Sequence, residues 1–88
     1  MLERIRACVE ELNRLDLAVV AAAKGQSVAP PQAEIFEALA DAAIACGDAI
    51  EASDDKPIST ELRAAFLLLQ VAITDLAATL KTYPKLVV

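Results

Sequence analysis

The feature that most constrains this fold is an apolar stripe in the last third of the chain. The spacing between its members alternates between four and three residues, as on one face of an α-helix. These residues are Leu62, Phe66, Leu69, Ile73, Leu76, Leu80 and Tyr83. The stretch AAFLLLQVAI, residues 64–73, is nevertheless apolar almost all the way round. A helix of that kind is covered on several sides, so we expect this segment to contact more than one neighbour.

Two earlier segments show the same periodicity and have clear ends. The first helix is predicted over residues 2–24, before Gly25, and the second over residues 31–53, starting at a proline pair. The third is predicted over residues 59–83, between a Ser59 cap and Pro84. Short loops make consecutive helices antiparallel. The sequence therefore predicts an all-α, up-down-up antiparallel three-helix bundle, one domain over residues 1–88, that assembles into a larger bundle by dimerisation.

The second helix has a stripe of unusually small side chains. Its members are Ile35, Leu39, Ala42, Cys46, Ala49, Ile50 and Ser53. Small residues allow neighbouring helix axes to approach closely. They also fill less space than large side chains do. The alternative to close helix approach is therefore an apolar cavity beside this helix.

Composition and charge exclude several classes of function. The chain has 13 acidic and 8 basic residues, a net charge of −5 and no basic stripe, which argues against nucleic-acid binding. The longest apolar window, residues 64–80, contains Gln70, Thr74, Asp75 and Thr79, and it is shorter than the about 20 residues that span a bilayer. We therefore expect no membrane span. Charges begin at Glu3 without a preceding apolar signal segment, so a cytoplasmic location is expected.

A second apolar face lies outside the stripes. On the third helix it comprises Leu67, Leu68 and Val71, and on the second helix Phe36 and Ile44 lie off the main stripe. Contiguous exposed apolar patches mark contacts between proteins, and two-fold homodimers are the commonest oligomers. We predict that these five residues form a homodimer interface. A helix of another protein is the rival occupant, and isolated exposed leucines are the alternative.

The outer side of the second helix is acidic. It carries Glu34, Glu37, Asp41, Asp48 and Glu51. This is either a solvated face or a docking surface for a basic protein partner.

Residues that could carry catalysis are few. The chain has no histidine and no glycine-rich phosphate loop. Cys8 and Cys46 are expected at the same height in adjacent helices, either as reduced thiols or as a disulfide, and they are two ligands short of a zinc site. Asp16 is either a functional carboxylate or a residue at the stripe's edge that reaches solvent, and Asp75 beside Val71 is an interface or a rim residue. We therefore expect no enzyme, cofactor or metal.

These observations favour an interaction protein that self-associates through helix three. Adaptors, chaperone-like proteins and toxin-neutralising modules all fit this description. The alternative is a carrier of a small apolar ligand, with its cavity beside helix two.

Overall fold

A computed structural model describes residues 2–52 and 57–85. It contains three helices, α1 (Leu2–Ala23), α2 (Gln32–Ala52) and α3 (Thr60–Thr82), and no strand within those residues. The end of α1 and the end of α3 line one depression at Ala23 and Thr82, whereas the start of α2 meets the end of α3 at Gln32 and Leu80. The helices therefore run up, down and up, and the prediction of an all-α three-helix bundle is confirmed.

The helix ends follow from local hydrogen bonding. After α1, the amide of Gly25 donates to the carbonyl of Ala22 and the amide of Gln26 donates to that of Ala21. Gly25 has a φ of 74°, the left-handed conformation that this C-terminal motif requires. At the start of α3 the Ser59 hydroxyl accepts a hydrogen bond of 3.1 Å from the amide of Leu62. Ser59 is therefore a cap, as its position predicts, and α3 itself begins at Thr60.

The core is organised around α1. Ile5, Leu12, Leu15 and Val19 are completely buried, and they form the α1 side of the core. α1 packs along both other helices, whereas α2 and α3 contact each other over a short stretch. The bundle is therefore open between α2 and α3.

Alanines explain this asymmetry. The buried face of α2 consists of Ile35 and four alanines, and α3 buries Ala65 and Ala72 between its leucines. The four alanines of α2 are Ala38, Ala42, Ala45 and Ala49. Small side chains at a contact allow helices to pack closely. Several larger residues are half-buried beside this contact: Leu39, Cys46, Phe66, Ile73 and Leu80.

The small stripe predicted for α2 is therefore displaced around the helix. Leu39 and Cys46 are half-buried at the edge of the core, and Ile50 is 61% exposed. In α3, Phe66, Ile73 and Leu80 are likewise half-buried and Tyr83 is exposed. Periodicity identified the apolar half of each helix. Within that half α2 buries Ile35 and its alanines, and α3 buries Leu62, Leu69 and Leu76 together with Ala65 and Ala72. Ser53, the last residue of the predicted stripe, lies outside the described residues.

The close α1–α2 contact predicts sensitivity to added volume. Substitution Ala42→Leu places three extra carbon atoms at a fully buried site, and we expect it to lower the free energy of unfolding by about 1–3 kcal/mol. Ala33→Leu, at an exposed position of α2, is the matched control and should change stability little. Urea denaturation of both variants checks this, and equal stabilities would contradict the close packing.

Candidate functional site

The principal surface feature is an apolar groove between α2 and α3. It encloses about 430 Å³ beside Cys46 and Ile50 of α2 and Phe66, Leu69 and Ile73 of α3. Ile58 closes one end. A smaller depression of about 200 Å³ continues at the opposite end, between Phe36 and Tyr83. Because Ile50 and Ile58 are exposed, this is a groove open to solvent rather than a closed cavity.

An exposed stripe of α2 forms the outer wall of this groove. Its five residues alternate at spacings of four and three, and all five are exposed: Phe36, Ala40, Ala43, Gly47 and Ile50. None is charged. From the sequence, Phe36 is predicted at an interface and Ile50 in the small-residue stripe of the second helix. The signal that identifies all five is a second heptad-like register in α2, displaced from the buried alanines.

The outer face of α3 is also uncovered. Leu67, Leu68 and Val71 are 59%, 58% and 56% exposed. At 100° per residue they lie on the side of α3 away from Leu69 and Leu76, which are buried. The prediction that these three residues lie outside the bundle's own core is thus met, whereas their role as an interface stays a prediction. Asp75 is exposed beside Val71, at the rim of this leucine face.

The two α2 residues of the predicted interface lie apart from the leucine face. Phe36 lies at the end of the groove, near Leu80 and Tyr83. Ile44 is exposed on the side of α2 opposite Ala42. The structure therefore distributes the five predicted residues over three surfaces: the groove, the outer side of α2 and the leucine face of α3.

The acidic face of α2 is partly used within the chain. Asp48 accepts a hydrogen bond of 2.7 Å from Arg4, and Glu34 pairs with Arg14. Arg14 also binds Glu11 and holds the pKa of that carboxyl below its ordinary value. The Arg4–Asp48 and Arg14–Glu34 pairs connect α1 to α2 toward both ends of their contact. The other three acids, Glu37, Asp41 and Glu51, are exposed and make no ion pair within residues 2–52 and 57–85.

The outer edge of the groove on α3 is cationic. Arg63 and Lys81 lie near its two ends, both are exposed, and neither forms an ion pair with any described residue. Counting 100° per residue places both on the groove side of α3, with Gln70 and Thr74 between them. The groove therefore has a cationic edge on α3, whereas the outer side of α2 is acidic.

By length and composition alone, α3 is apolar enough to cross a membrane, and 22% of its most apolar stretch is buried in the bundle. A largely buried core helix of a globular protein also meets this criterion of length and composition. Most of this stretch is exposed in the bundle, and the expectation of no membrane span stays a prediction.

The two cysteines are free thiols at the edge of the core. Burial raises the pKa of Cys8, as does the nearby charge of Asp41, while Arg4 acts in the opposite direction. Burial also raises the pKa of Cys46, with a further contribution from Cys8. These neighbours favour the neutral thiol, so neither cysteine has the environment of a nucleophile. Within the described residues no group of three or more acids, cysteines or histidines could hold a metal ion.

Asp16 lies at the edge of the core. Its side chain is half-buried, and its Oδ1 atom is buried without a hydrogen-bond partner among the described residues. A buried oxygen without a partner destabilises the fold. Both roles considered for Asp16 stay predictions.

Comparisons with other proteins give no family for this chain. No protein-family model, no curated protein and no solved structure matches it. The groove, the leucine face and the charged edges are therefore the observations from which function is inferred.

The raised thiol pKa values predict slow modification of the folded chain. Because the thiolate is the reacting form, we expect Ellman's reagent to react several-fold more slowly with the native protein than with the urea-unfolded chain at about pH 8. The native rate should keep rising with pH beyond the point at which the unfolded chain levels off. Equal rates and equal pH profiles would contradict the burial of both thiols.

The unpaired oxygen of Asp16 predicts that an apolar replacement stabilises the fold. We expect Asp16→Leu to raise the free energy of unfolding by about 1–2 kcal/mol, since it removes a buried acceptor without a partner. Asp41→Leu, at an exposed position of α2, controls for the higher helix propensity of leucine. If the free energy of unfolding rises equally in both variants, burial of the unpaired Asp16 oxygen does not destabilise the fold.

Proposed function

We propose that this protein is a non-enzymatic interaction module that self-associates through α3. The proposal rests on how little of α3 is buried by the other helices of the chain. Its buried residues, including Leu69, Ala72 and Leu76, face α1. Two other sides of α3 carry apolar residues that the chain covers only in part or not at all. Half-buried Phe66 and Ile73 face the groove, and exposed Leu67, Leu68 and Val71 form the leucine face.

Burial of these two sides of α3 in an interface supplies the driving force for association. Burial of apolar surface contributes about 25 cal/mol per Å², and large exposed apolar patches on water-soluble monomers mark contacts with other molecules. A copy of the same chain is the simplest cover, because two-fold homodimers are the commonest oligomers. The resulting assembly belongs to the class of small helical adaptors, chaperone-like proteins and neutralising modules.

Self-association leaves a surface for other proteins. Glu37 and Asp41 are exposed on α2, and they suit a basic or helical partner. Long-range attraction between opposite charges increases the rate of such encounters.

A second candidate function is the transport of a small apolar ligand. The volume of the groove, about 430 Å³, lies within the range of ligand pockets, and its wall is mainly apolar. Its openness is less favourable, since such pockets bury most of their ligand. Native mass spectrometry of the purified protein distinguishes the candidates: a bound lipid or other apolar molecule supports the carrier.

The proposal predicts reversible self-association of the wild-type chain. We expect light scattering after size exclusion, over about a hundredfold range of concentration, to show a mass that rises from 9.3 kDa toward twice that value. The rise reflects mass action on a dimer. A monomer at every concentration would contradict self-association.

A further inference from the structure

We propose that a second copy of this chain docks on the α2/α3 groove, so that groove meets groove around a two-fold axis parallel to the helices. This inference rests on the proposed self-association and specifies its surface. The α2 and α3 helices of the two copies together form a four-helix core. The leucine face of α3 lies outside this contact.

The shape of the groove fits helices of a second copy. The exposed stripe of α2 has bulky residues at its ends, Phe36 and Ile50, and small residues between them: Ala40, Ala43 and Gly47. A bulky side chain at each end and small ones in the middle form a channel in which another helix can approach closely.

Gly47 lacks an explanation within one chain. It lies inside a helix, where glycine costs roughly 0.5–1 kcal/mol relative to alanine. Positive φ among the described residues is confined to Gly25, and a Cβ atom added at Gly47 would meet nothing within 4 Å. Neither backbone conformation nor packing in the monomer requires a glycine there. Close approach of another helix backbone accounts for it.

Charge identifies the second copy as the occupant. Glu51 follows Ile50 in α2, at the same end of the groove as Ile58 and Arg63. This end of the molecule therefore has an acid on the outer edge of α2 and a cation on the outer edge of α3. These charges make no ion pair with one another in the described residues.

A two-fold rotation parallel to the groove makes these edges complementary. Such a rotation keeps every residue at its own level and brings α2 of one copy beside α3 of the other. Glu51 of one copy then meets Arg63 of the second copy. The new α2–α3 neighbours are antiparallel, like those within the chain, which is the arrangement of an antiparallel four-helix bundle. A rotation perpendicular to the helices instead places α3 beside α3 and Arg63 near Lys81, with repulsion.

The area is sufficient for a stable dimer. The molecule is 48 Å long and about 20 Å wide, so a face that spans two helices is comparable to the roughly 800 Å² that each partner contributes to a standard interface. A small apolar molecule in the groove reaches neither charged edge.

Charge reversal tests this arrangement directly. We expect Arg63→Glu and Glu51→Arg each to weaken self-association about tenfold, since two symmetry-related contacts change from attraction to repulsion. Mixed in equal amounts, the two variants should associate with one another about as strongly as the wild type does with itself, because both contacts become attractive. Sedimentation velocity measures all three. Failure of the mixture to associate, or full self-association of the single variants, would overturn the two-fold arrangement.

A matched pair of apolar variants separates this inference from the broader proposal. Ile50→Glu lies in the groove and Leu68→Glu on the leucine face, and the wild-type side chains are 61% and 58% exposed. Circular dichroism should show both variants folded. Dissociation by Ile50→Glu alone supports the groove. Dissociation by Leu68→Glu alone overturns the groove but retains self-association through α3, whereas a monomeric wild type overturns both.

Discussion

The packing of α2 and α3 against one central helix determines the rest of this structure. The residues of α1 that enter the core are large, and those of α2 that receive them are mostly alanines. α3 contributes three leucines and two alanines to the same core. Leu39, Phe66 and Ile73 lie half-buried at its edge. A bundle built in this way has one well-packed centre and one unfilled seam.

The unfilled seam explains why so apolar a chain has a small core. The helices are apolar over more of their circumference than α1 covers, and residues 2–52 and 57–85 form three helices, of which only α1 packs along both others. A three-helix bundle that buried all its large apolar residues would place Phe66 and Ile73 in its centre. Here they lie at the edge, and exposed residues such as Ile50 extend the same surface outward. The excess of apolar residues is therefore concentrated on α2 and α3, the helices that border the seam.

Sequence periodicity predicted the helices well because caps and stripes are local. Ser59, Gly25 and the proline pair act within one turn of their own helix, so the predicted ends agree with the observed ones to a residue. The rotation of each helix depends on all three together. Either the four alanines of α2 or Leu39, Cys46 and Ile50 could face the core. The alanines do so, because the large side chains of α1 already fill most of the core volume. For the same reason the groove could not be predicted: its wall, from Phe36 through Gly47 to Ile50, becomes a surface only when the alanine side is buried.

In the proposed dimer, electrostatics favours a like chain in the seam. Dimerisation of a protein with a net charge of −5 meets general repulsion, so a favourable contact must keep like charges apart and bring opposite ones together. The arginines of α1 pair with Asp48 and Glu34 on the side away from the seam, and the exposed stripe of α2 carries no charge. What remains beside the groove is Glu51 on α2 and the cations of α3. A two-fold rotation parallel to the helices brings Glu51 of one copy to Arg63 of the other, whereas a perpendicular one brings the cations together.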